Sequence, residues 1–311
     1  MKSIRNISCL LTFAAAAVLA GCSNNGVNPQ AHSTGEEAAI TGSLTAAPEF
    51  TNDGLFDDAA TTNLAPALRG AHPAPGAADV AIEPFFFWRS ITHRTRNFEF
   101  AFADTDTAGI PTTAVVTLRR TFIGTFNIVP RDSANPNLPD TERVIQKPLE
   151  DRWVRRFLMK RVPLMPGSRP FWRLAAASAI EVTSKNATSR ITSVRVQCAT
   201  KDTTLTDPAA FILLRRALRF ASNDTVTVTV TTPRTDDVVL LYHHDRRARL
   251  TNNGDGTYTG KFPAGVFSGW RHFGVNALSN GTLFDDAAAY DSKAWIFPYV
   301  LVGGPDSDYW P

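Results

Sequence analysis

Runs of alternating apolar and polar residues, separated by turn-forming residues, constrain the fold of this 311-residue chain most strongly. Between Asn97 and Phe102 every second residue is phenylalanine, and TVTVTVTT at 225–232 alternates in the same way. A period of two places one set of side chains on one face of a strand. Loop compositions such as DTDTAGIP and PRDSANPNLPD lie between such runs. The sequence therefore predicts a mainly β protein.

Two segments within the β-rich region are also compatible with helices. Leu149, Trp153 and Phe157 recur every four residues within 148–161, which is typical of an amphipathic helix, although the context also permits a strand. The stretch 207–220 begins with Asp-Pro, a possible helix start. We therefore expect a basic, β-rich middle domain with one or two short helices.

The last part of the chain holds about six short strand-like segments separated by turns, which is typical of a β-sandwich. The NGDGTYTGKF turn at 253–262 and the GWRHFGVNAL strand at 269–278 resemble those of bacterial immunoglobulin-like and fibronectin type III-like domains. The resemblance covers roughly residues 223–302 and implies an immunoglobulin-like β-sandwich there. It says almost nothing about function, because this fold carries many activities.

The N-terminus has the layout of a secretory signal. A basic start at Lys2 and Arg5 precedes the uncharged run LLTFAAAAVL, which is too short to cross a membrane. The tetrad LAGC at 19–22 resembles the lipobox of bacterial lipoproteins. That resemblance implies cleavage before Cys22, acylation of Cys22 and a lipid-anchored protein of the cell envelope. Ser23 at the following position implies the outer rather than the inner membrane.

The segment behind this anchor, residues 23–50, is rich in small and polar residues, which is typical of a flexible tether. Cys198, the cysteine left after cleavage and acylation, is expected to be a buried thiol. The predicted organisation is a signal peptide (1–21), a tether with an irregular acidic segment (22–80), the basic β-rich domain (81–222), the sandwich (223–302) and a C-terminal tail (303–311).

The near-neutral net charge of +3 hides a basic middle. Residues 81–220 hold 22 basic and 12 acidic residues, and 18 of those cations are arginines, which suit carboxylates, phosphates and aromatic rings. Two interpretations stay open: the arginines contact an anionic glycan, a lipid or an envelope protein, or they cover solvent-facing strands. The candidate contact residues are the arginines Arg152, Arg155 and Arg156 and, as aromatic residues near turns, Trp270, Tyr290 and Trp295.

The hexapeptide LFDDAA occurs twice, at 55–60 and at 283–288. One interpretation is that Asp57, Asp58, Asp285 and Asp286 contact Ca²⁺ or a ligand. The other is a turn in which aspartate accepts backbone amides while the leucine and phenylalanine pack inward. We favour the turn, because neither copy matches an EF-hand loop.

The chain contains no G-x-S-x-G, H-E-x-x-H or C-x-x-C motif and no glycine-rich phosphate loop. Its only histidine pair, His243-His244, consists of neighbours that would point to opposite faces of a strand. No catalytic residue, metal site or cofactor is therefore predicted. The arginines come without a nucleic-acid-binding motif, so a nucleic-acid partner is not expected either.

These observations favour a non-catalytic, lipid-anchored envelope protein that binds an envelope component or a glycan. Two alternatives stay open. The first is an exported hydrolase-type enzyme whose site is assembled from distant residues, and the second is a structural scaffold without a small ligand. A cleft with converging Asp, His or Arg side chains would favour the enzyme.

Overall fold

A computed structural model describes residues 29–51, 82–162, 171–243 and 246–303. In these ranges the helices are α1 (Pro29–Thr45), α2 (Pro48–Thr51) and α3 (Asn280–Phe284), with one 3₁₀ turn (Leu214–Arg216). The strands are β1 (Pro84–Thr105), β2 (Pro111–Pro130), β3 (Ile145–Val162), β4 (Phe171–Ala177), β5 (Ile180–Ser184), β6 (Ser193–Cys198), β7 (Lys201–Leu205), β8 (Ile212–Leu213), β9 (Leu218–Ala221), β10 (Thr225–Thr231), β11 (Val238–His243), β12 (Arg246–Arg249), β13 (Thr251–Asn252), β14 (Thr257–Pro263), β15 (Gly269–Leu278) and β16 (Ser292–Val302). The prediction of a mainly β protein with a few short helices is confirmed. No helix in the described ranges is long and apolar enough to span a membrane.

The strands form two sheets with mostly antiparallel pairing. The large sheet has the order β1-β2-β3-β5-β16-β15-β11-β12, and the smaller sheet has the order β13-β14-β10-β6-β7. On the large sheet β4 pairs with β3 and with β8, while β9 runs parallel to β16. The strands β1, β2 and β3 are long neighbours along the chain and form an extended meander.

The two sheets pack face to face as a sandwich. Val226, Val228 and Val230 of β10 are fully buried in one core with Phe273 and Val275 of β15. The threonines between these valines point away from that core and are more exposed. The alternation in 225–232 thus has its expected cause, because only one face of β10 meets another sheet.

The other face of the large sheet encloses a second core. Phe87 of β1 and Phe126 of β2 are buried together with Leu240 and Tyr242 of β11, which lie towards the opposite end of the sheet. The guanidinium of Arg247 on β12 also donates to the carbonyl oxygen of Phe87 at 3.3 Å. The sheet therefore curls until its two ends lie side by side.

The segment 148–161 is a strand, not a helix. It forms most of β3, where Leu149, Trp153 and Phe157 are buried on one face. A four-residue spacing is also a multiple of the two-residue strand period, so the same pattern fits both structures. Long-range pairing with β2 over sixteen positions decides for the strand. The stretch 207–220 likewise contains only the 3₁₀ turn and the short strands β8 and β9.

The predicted division of the chain after residue 222 does not separate two bodies. β5 pairs with β16, and β6 pairs with β10, so segments from both sides of that position share both sheets. Each side needs the other's strands to complete its hydrogen bonds and its core. The immunoglobulin-like resemblance of 223–302 stays a prediction, and the sandwich itself extends beyond that range.

The prediction of a flexible tether over residues 23–50 is wrong for residues 29–50, which lie in or between α1 and α2. Glu36, Ile40 and Leu44 follow one another at four-residue steps and form a buried stripe on α1. Phe50 of α2 is buried in the same core as these two aliphatic residues. Few apolar residues are present, but their helical spacing is enough to attach the segment to the sheet.

Candidate functional site

Helices α1 and α2 cover one end of the concave face of the large sheet. The ring of Phe50 meets the ring of Trp270 edge-on at a centroid distance of 4.8 Å. The carbonyl oxygen of Phe50 accepts a hydrogen bond of 2.8 Å from Arg155, and that of Thr51 accepts one from Arg120. Cations suit the carbonyl-rich end of a helix. These two arginines therefore hold α2 to strands β2 and β3.

The middle of α1 is held to the sheet by a buried polar contact. The carboxylate of Glu36 accepts a hydrogen bond of 2.6 Å from the indole nitrogen of Trp172 on β4. Arg161 at the end of β3 lies 3.5 Å from the same carboxylate. A buried carboxylate needs such partners, because an uncompensated charge inside a protein is costly. The helix thus has a defined position over β3 and β4.

A pocket of about 680 Å³ lies between α1, α2, β4, the 3₁₀ turn and the start of β15. This volume is within the usual range for small-molecule sites. Most of the side chains that line it are aromatic or aliphatic, and the aromatic ones are Phe50, Phe171, Trp172 and Trp270. The arrangement can bury an apolar group of a ligand.

The polar side chains around this pocket are mainly cationic. Lys160, Arg173 and Arg215 line it and are exposed, whereas Glu49 is the only carboxylate among the described lining residues. Lys160 on β3 and Arg173 on β4 are direct partners in the strand register, so the two positive charges lie side by side. Within the described residues, none of these three cations forms a salt bridge. The pocket is therefore apolar inside and positive at its edge.

The six predicted contact residues differ in how far the fold buries them. Trp270 is half-buried and forms part of the pocket wall. Arg152 is exposed beside Glu150, and Arg156 is half-buried under the ring of Phe211. Three other predicted residues are not on the surface: Arg155, Tyr290 and Trp295 are all buried. Their prediction as surface contacts is wrong, because each points into a core on the strand or loop that carries it.

Tyr290 belongs to a buried polar cluster at the other end of the concave face. Its hydroxyl donates to the Asp151 carboxylate at 3.0 Å and accepts a hydrogen bond of 3.2 Å from Arg89. Arg89 and Asp151 lie 3.7 Å apart as an ion pair. Burial raises the pKa of the Tyr290 phenol well above its usual range. The cluster connects β1, β3 and the loop before β16.

The second LFDDAA copy forms the turn that we favoured. Leu283 and Phe284 are buried at the end of α3, and the Asp285 carboxylate accepts the backbone amide of Ala287 at 2.9 Å. The Asp286 carboxylate lies 3.8 Å from Arg143. The second copy thus has the geometry of the turn interpretation, and a Ca²⁺ or ligand contact of these aspartates stays a prediction. The first copy, with Asp57 and Asp58, lies outside the described residues, as does Cys22.

A buried lysine, Lys147, forms hydrogen bonds to the backbone of the same turn. The ammonium group of Lys147 donates to the carbonyl oxygens of Gly281, at 3.0 Å, and of Asp285. Burial lowers the pKa of Lys147 to about 8, although the nearby carboxylates of Asp285 and Asp286 act in the opposite direction. Lys147 thus binds one carbonyl near the start of α3 and one just after its end, so the turn has a structural role.

The histidines in the described ranges are packed or exposed rather than grouped. His243 shares a hydrogen bond of 2.8 Å with the hydroxyl of Tyr299. Burial, with a smaller contribution from Arg155, lowers the pKa of His272 to about 3, so its ring is neutral near pH 7. Across the described parts of the chain, no group of three or more His, Cys, Asp or Glu residues could hold a metal ion. Cys198 is only partly buried, beside the sandwich core.

Most of the pocket was not foreseen from the sequence. Phe50 lies in the segment predicted to be a tether, and Lys160, Arg173 and Arg215 come from three separate elements. The one local signal is the FWR sequence at 171–173, in which two aromatic residues are followed directly by an arginine. The remaining members meet only through long-range strand pairing.

Comparisons with protein-family models, with curated proteins and with solved structures found no match to this chain.

Proposed function

We propose that this protein is a non-catalytic binding protein of the cell envelope, anchored by lipid at Cys22, preferentially in the outer membrane. Its pocket between α1, α2 and β4 takes an envelope component or a glycan. The observation that carries the proposal is the 680 Å³ apolar pocket with cations at its edge. Concave apolar sites with a few convergent polar groups are the usual form of ligand sites.

The chemistry of the lining supports binding rather than hydrolysis. General acid–base catalysis needs a proton donor and a proton acceptor within reach of the reacting group. Among the residues that the structure describes, the lining includes one carboxylate, Glu49, and neither histidine nor cysteine. This described part of the lining offers contacts and charge rather than a catalytic pair.

The spacing along the chain supports a position close to the membrane. Pro29, where α1 begins, follows Cys22 by seven residues, which span at most roughly 25 Å when fully extended. The pocket is at the other end of α1, beside Ser43, Ala46 and Ala47. A lipid on Cys22 would thus keep the start of α1 within roughly 25 Å of the membrane, with the pocket one helix length further along the chain.

We expect the change Cys22→Ser to release the protein from membranes into the soluble fraction, because the acyl chains supply the apolar anchor. Cell fractionation followed by immunoblotting measures the distribution. Cys198→Ser is the matched control, since it removes a partly buried thiol and leaves the lipobox intact. Membrane association of the Cys22→Ser protein equal to that of the control would contradict the anchor.

The pocket itself is tested by binding to an array of glycans and to a panel of envelope lipids. We expect at least one class to bind, and we expect Trp270→Ala to abolish that signal because its ring forms the pocket wall. Trp88→Ala is the control, since Trp88 is also half-buried but stacks on Phe86 away from the pocket. The absence of any signal that depends on Trp270 would refute the proposed function.

A further inference from the structure

We propose that the pocket binds the acyl chain of an anionic amphiphile, with the charged headgroup against Lys160, Arg173 and Arg215. This inference rests on the proposed binding function and names the chemical class of the ligand. It follows from two independent properties of the site: the apolar interior and the excess of positive charge among the described residues at its edge.

The interior fits a hydrocarbon chain better than a sugar. Its largest walls are the rings of Phe50, Trp172 and Trp270 and the side chains of Leu213 and Leu214. A sugar presents many hydroxyl groups, each of which needs a hydrogen-bond partner when it is buried. An acyl chain needs none and gains from leaving water. The sparse polar lining therefore selects against a buried sugar.

The pocket is also open towards its edge in a way that suits a chain with a headgroup. Phe171, at the start of β4, is 51 % exposed although it lines the pocket. The apolar surface thus continues from the interior to the edge, where the cations lie.

The positive charge at the edge of the pocket favours an anionic ligand. Lys160 and Arg173 occupy directly opposite register positions on β3 and β4. Like charges placed opposite each other on neighbouring strands destabilise a sheet. Arg215 adds a third positive charge, and in the described part of the chain Glu49 is the one carboxylate that lines the pocket. A phosphate or carboxylate headgroup bound there would relieve this repulsion and would accept charge-assisted hydrogen bonds from these cations.

The test uses the full mature chain carrying Cys22→Ser, so that no covalent lipid competes for the pocket. The probe is lysophosphatidylglycerol with a brominated acyl chain, added below its micelle concentration, because bromine quenches tryptophan fluorescence on contact. We expect saturable quenching that is weaker in Trp270→Phe, since Trp270 lines the pocket and Trp172, the other lining tryptophan, is still quenched in that variant. Equal quenching in the two proteins would overturn the proposal.

A blocking variant tests the location without removing an aromatic residue. Ala46 is exposed and lines the pocket, so Ala46→Phe should fill part of it and weaken binding by about tenfold or more. Ala38→Phe is the matched control, because Ala38 is exposed on the same helix and does not line the pocket. Equal affinities of the two variants would overturn the proposed site, whereas circular dichroism verifies that both are folded.

The headgroup is tested by comparing lysophosphatidylglycerol with zwitterionic lysophosphatidylcholine. We expect the native chain to prefer the anionic lipid by about tenfold, and Lys160→Gln/Arg173→Gln/Arg215→Gln to lose that preference. Arg96→Gln/Arg152→Gln/Arg190→Gln removes the same charge from exposed positions elsewhere and should keep the preference. Equal binding of both lipids by the native chain would overturn the role of the cations.

The outcomes also separate this inference from the proposed function. Trp270-dependent binding of a glycan without quenching by either lipid would overturn the acyl-chain inference and leave the envelope-binding function intact. Failure of every glycan and lipid to bind in a Trp270-dependent manner would overturn both.

Discussion

Asp151→Ala is expected to lower the free energy of unfolding by about 3 to 5 kcal/mol, because removing one partner of a buried ion pair leaves the other charge uncompensated. Asp151 and Arg89 are 3 % and 1 % exposed, and their charged groups lie 3.7 Å apart. The hydroxyl of Tyr290 also loses its acceptor, which now lies at 3.0 Å. Urea unfolding followed by tryptophan fluorescence measures the change.

Two control variants separate the charge from the other contacts of this cluster. Tyr290→Phe keeps the ion pair and removes one hydroxyl, so we expect a smaller loss of about 1 to 2 kcal/mol. Glu150→Ala changes the neighbouring residue on the same strand, whose carboxylate pairs with Lys185 at the surface, and should change stability little. A loss in Asp151→Ala no greater than in Glu150→Ala would show that the buried pair is not a major stabilising contact.

Asp237→Asn is expected to stabilise the protein at pH 8 by on the order of 2 kcal/mol and to have no such effect at pH 4. Burial raises the pKa of the Asp237 carboxyl to about 7, even though Arg234 lies 3.3 Å away and acts in the opposite direction. The folded protein therefore retains a proton that the unfolded chain loses near pH 4. Stability falls as the pH rises from about 4 to 7, and the variant lacks this loss.

Urea unfolding at several pH values measures this difference. Asp236→Asn is the matched control, because the neighbouring carboxylate also contacts Arg234 at 3.1 Å but is part-exposed. The low pKa of His272 gives the opposite dependence, since a neutral buried ring makes stability rise from about pH 3 to 6.5. That contribution is common to the native protein and both variants, so it cancels in the comparison. A pH-independent difference between Asp237→Asn and the native protein would contradict the prediction.

The site shows where local sequence patterns stop being informative. Trp270 was recognised as a contact candidate because it is an aromatic residue near a turn, and it does line the pocket. Tyr290 and Trp295 have the same local character, yet both are buried. The difference depends on which part of the fold covers each ring, and for Tyr290 that part includes Asp151 and Arg89, which are more than a hundred positions away in the sequence.

The segment around Phe50 gives the opposite case. Its sequence predicts helices only weakly, and contacts with the rest of the protein stabilise them. Small and polar residues dominate 29–51, so composition favours a tether. The tertiary structure supplies what the segment lacks on its own, namely an apolar sheet face for Ile40, Leu44 and Phe50 and two arginines for the carbonyls of α2. Helix formation in such a segment depends mainly on packing of its apolar stripe rather than on intrinsic propensity.

The sequence by itself determined the strand character of this protein, because alternation with a period of two is a local property that each segment carries. It also determined the turn in 283–288, whose hydrogen bond from Ala287 to Asp285 spans two residues. Only the tertiary structure decided which strands pair, how the large sheet curls and which residues form the pocket. Those choices depend on contacts between distant segments, such as β5 with β16 and Phe50 with Trp270, and no local pattern encodes them.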